Sequence, residues 1–452
     1  MANRRLWSTL WDFQARLPEL PGDSVTRLRC FFAYCVGCLL GYTGYWLART
    51  TPGFPWGGPG DFTSFCTGAL IFRSGHSQQL YDLVLQASVQ RSLLRPYGWI
   101  FKDGLLPYIY PPFFAPLIIP LSYLPLGVAF HVWNLISLAF LLASVKVLLN
   151  QQHRGTSRDF LVAGLVVLSF FPVFEAFYKG QSVCLVLFAF ALAYVNLKRG
   201  HEGWAGVALA IGLIKPQLVV FVALVLLTQR RWRAILSLGG AGLLLAGLSW
   251  VLVGTQGMKA YASLSRSVMM WNGLYNFLPT RMANVRGTVY RFARAFELVG
   301  GAEPAAWVLL LATVGCSAIL LVLILRCWKG GWRPTGATFD LKFAFTLIGT
   351  LLLTPYLYGH DLSLLVLAGF IILGALNQLG EEPSAQALLA AGHMAFMIAF
   401  FFGGAEGGAQ VMMIALLAAM GYLARTLKGN SKEAACESGS PGTGKNTHRS
   451  WQ

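Results

Sequence analysis

Long apolar runs alternate with short polar segments along most of this chain, from about residue 30 to residue 424. A run of about 20 apolar residues is long enough to cross the hydrocarbon core of a bilayer as an α-helix. Backbone groups inside a bilayer must pair within the protein, which leaves helices and closed barrels as spanning structures. The pattern therefore predicts an all-α polytopic membrane protein with about 12 transmembrane helices, together with re-entrant or interfacial helices on the outer face.

Basic residues between the runs indicate the orientation of the chain. Arginines recur in residues 1–29, and short basic segments follow several of the later runs. Because short cytoplasmic loops carry an excess of Lys and Arg, we place these segments in the cytoplasm. This topology predicts a basic cytoplasmic N-terminus over 1–29, a transmembrane domain over 30–424 with outer loops at 49–111 and 254–304, and a disordered cytoplasmic tail over 425–452.

Three segments differ from simple spans. Asp61 opens an apolar stretch with helical spacing, which predicts a short amphipathic helix on the membrane surface. The run from Pro112 to Leu124 is too short to cross a bilayer, so we expect it to be re-entrant or interfacial. The run from Gly203 to Thr228 has Lys215 in its middle, and we interpret it as two short helices that meet at the outer face.

Composition narrows the class further. The 452 residues are 56% hydrophobic and 12% charged, which excludes a soluble domain with a polar shell. The net charge of +17 falls in loops and tails, where it sets orientation, so we do not expect nucleic-acid binding. Cys35 and Cys38 lie in an apolar run without a second pair or a histidine cluster, which favours packing over metal or redox chemistry.

The predicted topology brings several polar residues to one side of the membrane. A charged side chain at a helix centre costs roughly 2.5–3.5 kcal/mol on insertion scales, so such residues are functional candidates. The residues concerned are Asp61, Lys179, Lys215, His360 and Asp361. We therefore predict a site that faces away from the cytoplasm.

Asp61 is the candidate catalytic residue. An ionised carboxylate can act as a general base toward a hydroxyl group that comes within hydrogen-bond distance. The alternative role is a helix N-cap alone.

Lys215 and His360 are candidates for phosphate binding. Lys215 lies between two apolar segments without an acidic neighbour in the sequence, so a bound phosphate would supply its anion. The alternative is a lysine that extends to the membrane interface. His360, next to Asp361, could donate a hydrogen bond to a phosphate or shuttle a proton, and the alternative is a structural residue of a turn.

Two further groups of residues suit a sugar. Lys179 and Gln181 flank a glycine at a predicted helix end, and the Gln181 amide can both donate and accept hydrogen bonds. Trp271, Asn276 and Arg281 in the second outer loop combine a stacking surface, an amide and a cation. Ordinary helix ends and interfacial aromatic anchors are the alternatives.

Several short motifs, in their order and spacing, resemble those of a known family. They are Asp61-Phe62, Tyr81-Asp82, Tyr110-Pro111-Pro112, Gly180-Gln181, Lys215-Pro216, Gln229-Arg230-Arg231-Trp232 and His360-Asp361. Over roughly residues 51–379 the chain resembles glycosyltransferase family 87 (the DUF2029 group), bacterial membrane enzymes that include polyprenol-phosphate-mannose-dependent α-1,2-mannosyltransferases.

The resemblance implies a GT-C fold and a hexosyltransferase that uses a polyprenyl-phosphate sugar. Mannose is the hexose that the resemblance favours. The acceptor would be a lipid or glycan at the outer face of the bacterial plasma membrane, and Asp61 occupies the position of the base for transfer with inversion. The residues expected to hold the donor phosphate are Lys215, His360 and Arg281. Those expected to contact the sugar or acceptor are Tyr110, Lys179, Gln181, Trp271, Asn276 and Asp361.

We expect no cofactor beyond this donor substrate. We also expect no metal, because the outer loops lack a carboxylate cluster suited to a divalent ion. Two other classes stay open at this point. A transporter or flippase of a lipid-linked saccharide would also place charges along a cavity, and a structural subunit of an envelope complex would need no reactive cluster.

Overall fold

The computed structural model describes residues 24–50, 60–99, 101, 104–153, 155–271, 274–302, 304–380, 382–402 and 404–438. Within these ranges the regular secondary structure is helical, without a β-strand. The helices are α1 (Ser24–Thr50), α2 (Phe62–Arg73), α3 (Leu83–Leu94), α4 (Pro112–Tyr123), α5 (Leu126–Gln151), α6 (Ser157–Leu168), α7 (Phe171–Lys179), α8 (Val183–Lys198), α9 (Glu202–Ile211), α10 (Pro216–Thr228), α11 (Trp232–Met270), α12 (Val285–Leu298), α13 (Ala306–Cys327), α14 (Ala337–Leu353), α15 (Leu365–Gln378), α16 (Glu382–Phe402) and α17 (Gly404–Ser438). The predicted all-α class is confirmed.

Among the described residues, five helical segments are long and apolar enough to cross a membrane. They are Leu126–Gln151, Trp232–Val268, Ala306–Cys327, Gly359–Gln378 and Glu406–Lys428. Shorter apolar helices, including α8, α9 and α10, pack among them. Helix α1 is 27 residues long and contains the first apolar run of the sequence, from Cys30 to Ala48. The chain is thus a helical membrane protein, and the count of about 12 spans stays a prediction.

The apolar run from Phe160 to Phe177, for which the apolar pattern predicts one span, is not a single helix. It is divided between helices α6 and α7, which are bent by 72° relative to each other. Pro172 in the first turn of α7 lacks the N–H that would continue the hydrogen-bond ladder of α6, which accounts for the break. The bend makes α7 a separate short helix that ends at Lys179.

The segment around Lys215 folds as two helices, as predicted. After α9 the chain forms a short 3-10 turn over Gly212–Ile214, and α10 begins at Pro216. The ring of Pro216 disfavours helical backbone at the preceding residue, and Lys215 has φ −124° and ψ 75°. The break therefore presents Lys215 at the junction of the two helices.

Helix α2 is buried, so the predicted location on the membrane surface is wrong. The helix begins after Asp61 as expected, but both its apolar and its polar faces are covered. Phe65 packs edge-on against Trp133 of α5, whereas Thr67 accepts a hydrogen bond from Gln90 of α3. The helical spacing of its phenylalanines reflects this aromatic core and not contact with lipid.

The predicted second outer loop, residues 254–304, is largely helical. Helix α11 continues to Met270 past a break at Gly254, which has φ 65° and ψ −178°, and α12 follows. Beyond the break, α11 packs over the segment between α2 and α3, where the rings of Tyr261 and Tyr81 lie 5.1 Å apart. The sequence did not show this helix because its polar residues interrupt the apolar pattern.

The ends of the chain are described only in part. Helix α17 continues to Ser438, so residues 425–438 are helical where the composition predicted disorder. Residues 439–452 of the predicted tail, residues 1–23 of the predicted cytoplasmic N-terminus and Asn272 lie outside the described residues.

Candidate active site

A cavity of about 500 Å³ opens where four segments of the chain meet. These segments are the start of α2, the end of α7, the junction between α9 and α10, and the turn that follows α14. The predicted site residues that line it are Asp61, Tyr110, Lys179, Gln181, Lys215, His360 and Asp361. The fold therefore brings together most of the residues that the sequence singled out.

Gln181 lies at the centre of the polar end of this cavity. Its Nε2 donates to the Asp61 carboxylate, and its Oε1 accepts from the Tyr110 hydroxyl and the Lys215 ammonium at 3.0 Å each. Burial raises the pKa of Tyr110 to about 12, with Lys215 acting in the opposite direction. The phenol thus keeps its proton and donates at any physiological pH.

Lys215 has an acidic partner, which corrects the interpretation made from the sequence. Its ammonium lies 2.5 Å from Oδ1 of Asp361, and both side chains are buried. A buried charge requires a partner, and Asp361 supplies it without a bound phosphate. Lys215 is therefore not an unpaired cation, although it still lines the cavity beside Gln181.

Asp61 is the acidic residue at the mouth of α2. It occupies the N-cap position, but its side chain makes no capping hydrogen bond. The residue is partly exposed, and its carboxylate faces the cavity and Gln181. The Asp61 carboxylate therefore does not cap α2, in contrast to the alternative role considered from the sequence. Gln181 contacts one carboxylate oxygen, and the other is available to a molecule in the cavity.

His360 is buried behind the Lys215–Asp361 pair. Its Nε2 lies 3.5 Å from Oδ2 of Asp361, and its Nδ1 is buried without a hydrogen-bond partner. When Nε2–H is directed at Asp361, Nδ1 of a neutral imidazole is an acceptor. Because Nδ1 is itself buried, a ligand in the cavity can reach it only if neighbouring side chains move.

Lys179 is the second lysine at the cavity. Its ammonium lies 2.6 Å from Glu175, one turn earlier in α7, and 5.8 Å from the centre of the Tyr358 ring. Its side chain is partly exposed, unlike that of Lys215. Lys179 can therefore contact a ligand in the cavity while it stays paired with Glu175, whose side chain is 16% exposed.

Two glycines allow Asp61 and Gln181 to approach each other. Gly180 ends α7 with φ 62°, and a Cβ there would overlap Phe62 and Phe130. Gly60 has φ 52° and packs directly on the backbone of Lys179. Left-handed backbone without a side chain at these positions brings the two segments into contact.

The far end of the cavity is apolar. Val220 and Phe221, which lie more than one turn beyond Lys215 in α10, line the cavity together with Val268 of α11. Val220 is 48% exposed, so this end is open to the surroundings of the helix bundle. The cavity thus combines a charged, hydrogen-bonding end with a lipid-compatible end, which suits an amphiphilic ligand.

Comparison with known proteins assigns the chain to a family. The sequence pattern of glycosyltransferase family 87 matches residues 108–355, more than half of the chain. The chain belongs to glycosyltransferase family 87. The predicted family and the predicted class of enzyme, a membrane glycosyltransferase, are thereby confirmed.

A curated relative in Mycolicibacterium smegmatis is a polyprenol-phosphate-mannose-dependent alpha-(1-2)-phosphatidylinositol pentamannoside mannosyltransferase. It is 31% identical to this chain over 175 residues, which are 37% of this chain and 42% of the relative. The match therefore spans less than half of the length of the relative. No solved structure matches the chain significantly.

The family 87 match covers only part of the cavity. It includes Tyr110, Gln181 and Lys215, but it begins after Asp61 and ends before His360. These two residues reach the site through the fold, because α2 and the turn after α14 both contact the end of α7.

Two of the predicted residues of the second outer loop, Trp271 and Arg281, are not among the described residues that line the cavity. Trp271 is buried, with its ring 5.0 Å from that of Tyr275 and 5.3 Å from that of Phe277. Arg281 is exposed and lies outside the lining. Asn276 lies in a short 3-10 turn, and its side chain is not among those described.

Four further aromatic residues at the cavity were not among the predicted site residues. Tyr275, Phe277, Tyr356 and Tyr358 line it together with the charged residues. Tyr356 and Tyr358 alternate just before His360, which was a usable signal, because alternate residues of an extended segment share a face. In a chain so rich in aromatic residues this spacing alone did not distinguish a site from packing.

Proposed function

We propose that this protein is a hexosyltransferase that moves a hexose from a polyprenyl-phosphate donor to a hydroxyl group of a lipid or glycan acceptor. Mannose is the sugar we favour. The reaction would take place at the outer face of the bacterial plasma membrane and would invert the anomeric centre. The M. smegmatis relative, by its name, depends on polyprenol-phosphate-mannose and acts on a phosphatidylinositol pentamannoside. That relative supports a polyprenyl-phosphate sugar as the donor. For the acceptor we propose only the class, a lipid or glycan with a free hydroxyl group.

The observation that carries the proposal is the position of Asp61 in an amphiphilic cavity. Its carboxylate lies at the polar end, while Val220 and Phe221 mark an apolar exit. A polyprenyl-phosphate sugar has the same division, with a sugar and a phosphate at one end and a hydrocarbon chain at the other. Such a donor would place its reactive carbon near Asp61 and its chain toward the lipid.

The proposed step needs only one proton transfer and one displacement. The Asp61 carboxylate takes the proton of the acceptor hydroxyl, and the hydroxyl oxygen bonds to the anomeric carbon. The bond between that carbon and the phosphate oxygen breaks, and polyprenyl phosphate leaves with the electron pair. Fixed cations near the phosphate would stabilise the charge that develops on it.

For this phosphate we propose Lys179 and Lys215 as the cationic contacts. Both line the cavity, whereas Arg281 lies outside it. His360 also lines the cavity, but its Nδ1 is buried and, in a neutral ring with Nε2–H directed at Asp361, would accept and not donate, so we do not assign His360 to the phosphate. No group of three or more potential metal ligands occurs among the described residues. We retain the proposal of a metal-independent reaction, which loss of transfer on addition of a chelator would contradict.

The test is transfer of labelled mannose from polyprenyl-phosphate mannose by membranes that contain the protein. Asp61→Asn removes the base, and we expect a loss of about 10²–10⁴-fold in transfer. Asp82→Asn is a matched control, since Asp82 caps α3 by accepting from Val84 and Leu85, and Asn caps helices equally well. Equal transfer by the wild type and Asp61→Asn would remove Asp61 from the reaction.

A further inference from the structure

The Gln181 side chain is held by protein groups at both ends of its amide. It is 4% exposed and lies just after Gly180, between the Asp61 carboxylate and the Lys215 ammonium. Tyr110 donates to the same Oε1 that Lys215 contacts. The oxygen has therefore used both of its acceptor positions, which leaves it little capacity to bind a sugar.

The chemistry of the two charged neighbours fixes which end of the amide is which. A lysine ammonium can only donate, and an ionised carboxylate can only accept. Oε1 must therefore face Lys215, and Nε2 must face Asp61. The reversed amide would direct N–H groups at an ammonium and an oxygen at a carboxylate, so it is excluded.

We propose that Gln181 is a positioning residue that fixes the orientation of the Asp61 carboxylate and links it to Lys215 and Asp361. This inference rests on the proposed function, in which Asp61 is the base. The ammonium on Oε1 polarises the amide and strengthens the N–H that is donated to Asp61. With Oδ2 held by Gln181, Oδ1 is the oxygen of Asp61 that would take the proton of the acceptor hydroxyl.

The link spans segments that are far apart in the chain. Asp61 and Gln181 are 120 positions apart, and Lys215 and Asp361 are 146 positions apart. Each group in the series is hydrogen-bonded to the next, so the base is oriented by the buried ion pair and not by its own helix. The ionisable groups that share the cavity with Asp61 among the described residues are Tyr110, Lys179, Lys215, Tyr261, Tyr275, Tyr356, Tyr358, His360 and Asp361.

Replacement by glutamate tests the contact directly. Gln181→Glu keeps an acceptor for Lys215 and Tyr110 but presents an acid to Asp61 in place of an N–H. Two carboxylates at such a distance do not both ionise readily, so the pair retains a proton to higher pH. A hydrophobic carbodiimide reacts with protonated carboxyl groups, and mass spectrometry can measure the total modification of residues 61 and 181. We expect the pH above which this modification stops to be higher by about one unit or more in Gln181→Glu than it is for Asp61 in the wild type.

A second buried glutamine serves as the matched control. Gln90 is fully buried and bonds to Leu106 and Thr67, away from Asp61. Gln90→Glu introduces the same change of a buried amide to an acid, and the carbodiimide profile of Asp61 should stay as in the wild type. An unchanged profile in Gln181→Glu, or an equal shift in both variants, would overturn the proposal.

Transfer kinetics give an independent reading. Gln181→Leu removes both hydrogen-bonding ends, and we expect kcat to fall about 10²-fold with a much smaller change in the KM of the donor. A rise in KM with kcat retained would overturn the proposal, because it would make Gln181 a sugar ligand. If the wild type transfers no mannose, the proposed function falls, and the carbodiimide profiles still decide whether Gln181 controls Asp61.

Discussion

Lys215 and Asp361 form the most deeply buried ion pair at the cavity, with side chains that are 5% and 6% exposed. Removing one member leaves the other charged, buried and without its partner. We expect Lys215→Met or Asp361→Asn alone to lower the free energy of unfolding in detergent by about 3–5 kcal/mol. The double variant should lose less than the sum, because it leaves no unpaired charge.

A surface pair provides the comparison for this prediction. Arg294 and Glu406 lie 2.7 Å apart, but their side chains are 57% and 38% exposed. Arg294→Met should cost about 0–1 kcal/mol, because solvent screens such pairs. If Lys215→Met cost no more than Arg294→Met, then Lys215 would not be neutralised by Asp361 in the folded protein.

The sequence could identify these residues but not their partners. Asp61, Lys215 and His360 stood out because charged or polar groups are unexpected inside apolar runs. Lys215 was interpreted as unpaired because its neighbours in the sequence are apolar, whereas its partner follows 146 positions later. Which polar groups meet is decided by how the helices pack, and a single sequence carries little information about that.

Gly180 shows how the end of one helix controls the site. It terminates α7 with φ 62°, and an alanine Cβ there would overlap Phe62 and Phe130. We expect Gly180→Ala to lower the free energy of unfolding by about 1–3 kcal/mol, from overpacking and left-handed strain together. It should also reduce transfer, because the segment with Gln181 must move away from α2.

Gly98 is the control for backbone strain alone. It has φ 65°, close to that of Gly180, but a Cβ there would meet no atom within 4 Å. Gly98→Ala should therefore show only the cost of a left-handed alanine, about 1 kcal/mol, with transfer retained. Equal losses of stability and of transfer in the two variants would show that contact with Phe62 and Phe130 does not matter.

At the level of helices, local breaks were easier to predict than burial. The junction at Lys215 was predicted because a single span would have buried the lysine, and the structure confirms two helices there. The bend before α7 was missed although Pro172 was visible, because the surrounding apolar run was long enough for one span. The burial of α2 was missed because periodicity shows which face is apolar and does not show what covers the polar face.

Across the whole molecule, two helices connect the cavity with a second charged region. Helix α8 begins next to Gln181 and ends at Lys198, and α14 begins near Asp340 and ends just before the turn with His360. Lys198 and Asp340 form a buried pair at 2.8 Å. At 1.5 Å per residue, each helix separates the cavity from this pair by about 25 Å.

This separation makes the orientation of the molecule testable. Ser265 lines the cavity, and Arg199 is exposed beside the Lys198–Asp340 pair. Basic residues at the second end favour the cytoplasm, so the cavity should face outward. In intact cells a membrane-impermeant maleimide should label Ser265→Cys above the background of the native cysteines, whereas Arg199→Cys should react only after permeabilisation. Labelling in the opposite order would place the cavity in the cytoplasm, and transfer at the outer face would then be untenable even if Asp61 were still required.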